Sequence, residues 1–200
     1  MTESTKKKLY NFGMADFIFD EGKPTELKFD GKLCDENSFV QAEGGQVSLE
    51  PELEDITIAD FGNGNFDQSI VGWNGTVTIV GARTTLEMIS RTLSGTVSLK
   101  ENGELVTVTD APIGSSLREE SRTLRIHPRD MGDDLSEDIY IHKIANTSGM
   151  SRPFGNEQGN YEMEFNMFPK DCADANRPNN YFYIGKDPDK IKNTEEGTPS

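Results

Sequence analysis

Several stretches of this chain place apolar residues at every second position, and that habit points to a mainly β fold. The octapeptide YEMEFNMF, 161–168, is the cleanest case: Tyr161, Met163, Phe165 and Met167 fall on one side, Glu162, Glu164 and Asn166 on the other. Alternation of this kind makes a strand with one face in a core and one in water. Val77 and Ile79 alternate with Thr76 and Thr78 in the same way, 121–128 alternates again, and 15–19, 25–29, 96–100, 104–109 and 138–145 read as further strands. About nine strands are expected, with a turn at Asn102-Gly103, a dipeptide suited to the tight turn of a hairpin.

One segment breaks the rhythm. In WNGTVTIVGARTTLEMISRTLSGTVSL, Trp73 to Leu99, the alternation gives way to helical spacing and then resumes. Thr84 and Glu87 match a capping box, and Gly95 follows the last periodic residue, where a left-handed cap is favoured. Leu86, Ile89 and Leu93 lie on one stripe of that helix, Thr85 to Leu93, and are the expected packing residues. A short helix with one apolar face needs a surface to cover, and in a β chain that surface is a sheet. The expected architecture is therefore a β-sandwich or barrel with one flanking helix.

The segment QVSLEPELEDITIADF, 46–61, is apolar at Val47, Leu49 and Leu53, then at Ile56 and Ile58. The change from odd to even positions predicts a bulge or bend near Pro51. GNGNFDQS, 62–69, is loop by composition, and because it joins two strong strands it should project as a hairpin arm. Residues 1–14 read as an N-terminal arm, 15–185 as one folded domain, and 186–200, charged and aperiodic, as a flexible tail.

The 35 acidic residues outnumber the 20 basic ones and leave a net charge of −15. Such a surface repels nucleic-acid phosphates and anionic lipid, which excludes DNA binding through a basic face. No apolar run is long enough for a membrane-spanning helix, and the N-terminus shows no signal-peptide pattern. Apolar residues make up 34% of the chain, with 19 Gly besides; together they fall below the roughly 45–50% usual for globular chains. The core should be thin. Cys34 and Cys172 form no CxxC pair and are expected as free thiols.

Motifs that carry chemistry are sparse. Ser115, Ser116, His127 and Asp130 supply the residue types of a hydrolytic triad without a nucleophile elbow around either serine. His142 stands alone in a strand, and two histidines make no zinc signature. DMGDDLSEDI, 130–139, lacks the spacing of a calcium loop. No catalytic, cofactor or metal residues are assigned, and the chain is expected not to be an enzyme.

The order of segments carries a resemblance. VSLEPELEDITIADFG is followed by a projecting loop and by VGWNGTVTIVGARTTLEMISRTLSG, then by DAPIGSSLR, LRIHP and a final FYIG. Over residues 13–185 this resembles the major tail tube proteins of tailed bacteriophages. The resemblance implies a homohexameric ring, stacked into a virion tail tube that conducts DNA without binding it specifically. It further implies tape measure and tail terminator proteins as partners, assembly in the host cytoplasm, and no membrane. It places an inter-ring loop at Asp60, Phe61, Gly62, Asn63, Gly64, Asn65, Phe66, Asp67 and Gln68, and a contact arm at Thr2 to Met14.

Strands with Thr76 and Thr78 and no blocking proline read as edges open to a neighbouring copy. Glu50, Glu52, Glu54, Glu162 and Glu164 are candidates for the lumen, with an ordinary solvated outer face as the alternative for each. The other readings are the tube subunit of a contractile secretion or tailocin-type particle, and a monomeric β-sandwich adhesin or carbohydrate-binding module.

Overall fold

The structure, a computed structural model, describes residues 13–33, 35–62, 64–151 and 159–191. The fold is mainly β, with ten strands and one α-helix among the described residues. The strands are β1 (Ala15–Phe19), β2 (Leu27–Phe29), β3 (Gln46–Thr57), β4 (Asn65–Gly81), β5 (Thr96–Glu101), β6 (Glu104–Asp110), β7 (Arg122–Pro128), β8 (Ile139–Asn146), β9 (Tyr161–Phe168) and β10 (Phe182–Ile184). The helix α1 spans Leu86–Thr92.

Eight strands form one antiparallel sheet in the order β2-β1-β7-β8-β9-β4-β3, with β10 paired to β8 beside the end of β9. The sheet curls until residues 37–42 join its two ends. Phe39 N–H donates to Lys28 O at 2.7 Å on the β2 side; Ala42 N–H donates to Val80 O at 2.8 Å on the β4 side. The result is a closed barrel wall, which leaves few strand edges inside the body. Gln41 holds the seam: it is buried, and its amide donates to Ala15 O at 2.8 Å and Phe29 O at 2.6 Å.

The alternating residues of β9 behave as their spacing predicts. Tyr161, Met163, Phe165 and Met167 enter the core beside Phe17, Phe19, Leu27, Phe29, Val77, Ile79, Leu124, Ile126, Ile141 and Ile144. Phe19 and Phe165 approach across the barrel with ring centroids 5.1 Å apart. Gly45 permits the closest approach, because a Cβ there would lie 2.3 Å from Phe17 Cζ.

The helix departs from its expected packing. Its N-cap is Thr85 rather than Thr84, and the Thr85 hydroxyl accepts the Met88 N–H at 3.1 Å. Met88 and Thr92 face the core, whereas Leu86 is 40% exposed and Ile89 and Leu93 are half-buried. Thr92 tolerates burial because its hydroxyl donates to Met88 O, so no polar atom goes unmet. Leu86 instead faces a groove shared with Ser98, Lys100 and Leu105 of the separate β5–β6 hairpin. That hairpin turns at Asn102 and Gly103, both with positive φ, as the Asn-Gly dipeptide predicts.

An ion-pair cluster pins the helix to the barrel. Arg122 on β7 donates from Nε to Asp20 at 2.7 Å, from Nη1 to Arg91 O at 2.6 Å, and from Nη2 to Thr25 O. Its guanidinium also sits 5.4 Å from the Phe19 ring centroid. Burial alone would push the Asp20 carboxyl up, but Arg122, Lys23 and Thr25 more than reverse this and hold it at about 2.

Of the segment expected to be a tail, residues 186–191 are described. Asp187 caps a 3-10 turn, Pro188–Lys190, and Asp189 accepts from Asn179 and pairs with Lys170. Residues 1–12 of the N-terminal arm, Cys34, and 192–200 lie outside the described residues.

Candidate assembly surfaces

The barrel body ends well before β3 and β4 do. β9 covers only Thr76 to Gly81 of β4, so the hairpin from about Glu50 to Gly72 leaves the body as a two-stranded arm. Every residue described in β3 from Glu50 on, and in β4 up to Val71, is exposed. Among the described residues the outer edge of β3 has no strand partner, and neither does the second edge of β4 from Asn65 to Gly75. Thr76 and Thr78, expected at open edges, lie instead where β4 is paired on both sides. The open edges are those of the arm.

The arm's register explains the phase change in the sequence. The irregularity falls at Glu52/Leu53, next to Pro51, but the extra residue belongs to β4: Glu52 pairs Gly72 and Leu53 pairs Ile70, which leaves Val71 unpaired. The same happens at Ile56/Thr57, where Phe66 is extra. β3 therefore stays in phase, and Leu53 and Ile56 point to opposite faces rather than marking a bend. The projecting loop is also shorter than expected. Asn65, Phe66, Asp67 and Gln68 are strand residues, and the turn proper contains a 3-10 segment, Ala59–Phe61, with Gly62 at φ +83. Asn63 lies outside the described residues.

The two faces of the arm differ in chemistry. One continues the core face of the barrel, through Val47, Leu49 and Trp73 to the uncovered pair Leu53 and Ile70. The other carries Glu50, Glu52 and Glu54 on β3 and runs on through Thr76 and Thr78 to Glu162 and Glu164 on β9, since Thr78 pairs Glu164 and Val80 pairs Glu162. All five glutamates proposed from sequence thus share one sheet face, and Asp67 joins them opposite Ile56. No Lys, Arg or His occurs in β3, β4 or β9 to neutralise it.

The tip is aromatic. Phe61 and Phe66 are 71% and 54% exposed and lie against each other at 5.2 Å between centroids. Asp55 stiffens the strands behind them by accepting from Asn65 at 2.7 Å and Gln68 at 2.8 Å. At the arm's base, Ile70 and Val71 are 59% and 55% exposed beside a groove of about 590 Å³, floored by Trp73 and Phe182 in edge contact at 5.1 Å. A further uncovered apolar strip, Val97, Leu99 and Val106, lies on the β5–β6 hairpin.

A larger cleft, about 1200 Å³, opens over β8 and β10. Tyr140 and Tyr183 stack at 4.9 Å with His142 against both. Burial, then the Asp187 carboxylate, push the Tyr183 hydroxyl up to about 12, so it remains protonated and adds no charge. Behind it Asp138 is buried and receives Arg125 at 3.2 Å and His127 Nδ1 at 2.6 Å, while His127 Nε2 faces Gly132 O at 2.9 Å.

The four residues of triad type do not assemble: His127 takes Asp138, and the Ser115 hydroxyl donates to Pro112 O. Among the described residues no group of three or more His, Cys, Asp or Glu is placed to hold a metal ion, and no helix is long and apolar enough to cross a membrane. Sequence reasoning missed the basal groove, whose floor joins Trp73 to Phe182 across 109 positions of chain, and the Asp20–Arg122 cluster, whose members read as ordinary surface charges. No protein-family model matches the chain, and no curated protein matches it.

Proposed function

We propose that the chain is the repeating subunit of a phage-type tail tube, joined to its neighbours through the β3–β4 arm. One observation carries this reading: a long hairpin leaves the body with both edges unpaired and with Leu53, Ile56, Phe61, Phe66, Ile70 and Val71 uncovered. Unpaired edges are templates for another strand, and natural monomers blunt them with bulges, charges or short length. Here two bulges twist the arm, yet the strands still run 12 and 17 residues. Copies that add strands to these edges extend both faces, so the apolar one can pack on neighbouring barrel bodies while the glutamate face stays wet. A bore lined by Glu50, Glu52, Glu54, Glu162 and Glu164 repels a passing phosphate backbone and lets DNA slide.

On this reading the protein resides in the virion as stacked hexameric rings, with tape measure and terminator proteins as its tail partners, and has no catalytic role. A contractile secretion or tailocin-type tube uses the same surfaces, and a sheath partner separates the two. The Tyr140–Tyr183 cleft favours the remaining reading, a monomeric glycan-binding module.

Electron microscopy of the purified chain over a concentration series is the test. Rings or tubes with a central hole are expected. A chain that stays monodisperse and monomeric at every concentration and salt refutes the proposal, and glycan binding by that monomer replaces it.

A further inference from the structure

We infer that the aromatic tip of one copy's arm seats in the groove at the base of the next copy's arm. The inference rests on the tube reading and adds its contact: Phe61 and Phe66 as the knob, and Ile70, Val71, Trp73, Pro178 and Phe182 as the socket, with Arg177 on its rim.

Three observations lead to it. The knob is an exposed aromatic pair held by its own hairpin, so little further ordering is needed when it docks. The socket is an apolar groove of about 590 Å³, within the size range that accepts drug-sized ligands, and two benzyl side chains fit that range. The charges match. The knob is flanked by Asp60 and Asp67 with no cation anywhere from Gln46 to Ala82, and Arg177 is the one charged side chain lining the groove. Arg177 is mostly solvent-exposed and engages Asp174 only at 3.4 Å, which leaves its remaining donors for a carboxylate.

The contact is between copies. The seven steps from Asn65 to Gly72 rise roughly 20–25 Å at about 3.3 Å each, so a tip cannot fold back into its own base. Knob and socket are different patches of one surface, and a contact of this heterologous kind propagates copy to copy instead of closing a pair. That is the property stacking requires.

Cys172 stands exposed beside Ala173, which lines the groove, and supplies the probe. A Cys34→Ser, Gly64→Cys variant, which keeps both knob phenylalanines and puts the thiol at an open position of the tip, is assembled and treated with a short bis-maleimide, and cross-linked ladders are read by denaturing gel. The expected result is a ladder that vanishes when Cys172→Ser is added. Assembly without the ladder overturns the socket while the tube reading stands; failure of the unaltered chain to assemble overturns both. Independently, Arg177→Asp should raise the concentration needed for assembly at least tenfold, and Asp60→Arg on the same chain should recover most of it. Two losses that simply add overturn the pairing.

Discussion

Replacing Asp20 by Asn should lower stability at neutral pH and leave a deficit that shrinks in acid. The change is well isolated. Asn fills the same volume and accepts the positive φ of +49 that Asp20 adopts, so the backbone is not disturbed. What disappears is the charge facing Arg122 and one of two accepting oxygens, since the amide nitrogen cannot accept from Thr123 N–H or from Thr25 and Arg122; the second loss does not depend on pH. With the folded carboxyl at about 2 against an ordinary 3.8, and about 1.4 kcal/mol per unit, the charge contributes on the order of 2 kcal/mol. The folded pKa is the lower of the two, so this stability is complete above about pH 5. It declines as pH falls, to roughly half at pH 3, and is mostly gone at pH 2.

Burial also draws the Arg122 guanidinium down, against the pull of Asp20, but it stays charged wherever the protein folds, so the acid limb reports Asp20. Urea denaturation of both chains at pH 7 and pH 3, at concentrations where light scattering shows monomer, measures the difference. A deficit of about 2–4 kcal/mol at pH 7 should shrink by about 1 kcal/mol at pH 3, the upper figure including the penalty of a buried unpaired guanidinium. An equal deficit at both pH values refutes the electrostatic account and assigns the loss to packing.

Met88→Ala should cost about 2–5 kcal/mol by emptying a core position, and Leu86→Ala less than about 1, read as thermal midpoints; the reverse order would restore the stripe expected from sequence. Gln41→Leu should cost about 1–3 kcal/mol, because it strips donors from Ala15 O and Phe29 O at the barrel seam, and faster amide exchange at Phe39 and Ala42 should accompany it. Glu162→Lys with Glu164→Lys should leave folding and assembly intact and slow DNA passage in reconstituted particles, whereas unchanged kinetics would place the bore on another surface. Raising NaCl from 0.05 to 1 M should promote assembly by screening copies of charge −15, and a requirement for more protein at high salt would mean ion pairs, not apolar contact, dominate the joint.

Strand identity was legible because period two is a local property. β9 falls where alternation places it, β1 falls on the short β run at 15–19, and the Asn102-Gly103 turn needs only its own two residues. The helix was legible as a helix but not in its orientation. A stripe of Leu and Ile outweighed Met88 and Thr92, since nothing in a sequence reports that Thr92 can satisfy its hydroxyl on the preceding turn. The bulges of the arm were misplaced for a related reason: a phase shift between two strands shows in neither sequence alone, and Val71 became the extra residue only once Leu53 and Ile70 were paired. The basal groove and the Asp20–Arg122 cluster depend on contacts across about a hundred residues, which no local pattern encodes. The acidic ladder was half legible: each glutamate alternates correctly within its own strand, but that β3 and β9 flank β4 with their glutamates on one face is a fact of topology.

That topology bears on why the arm carries opposite chemistries on its two sides. A strand added to a sheet edge continues the pleat, so it extends both faces of the strand it joins and cannot exchange them. On the proposed reading, each copy that pairs with the arm lengthens an acidic surface on one side and an apolar one on the other. If such an array closes into a ring, one surface must become its inner wall. An apolar inner wall would face water along the bore, with the uncovered Leu53 and Ile70 repeated in every copy. The opposite sense buries them against the barrel bodies and turns the glutamates toward the water, where exposed carboxylates cost nothing in desolvation and repel a polyanion. The sidedness of the arm thus selects the direction in which the array curves, and the charge of the lumen follows from the strand pairing rather than from a separate requirement.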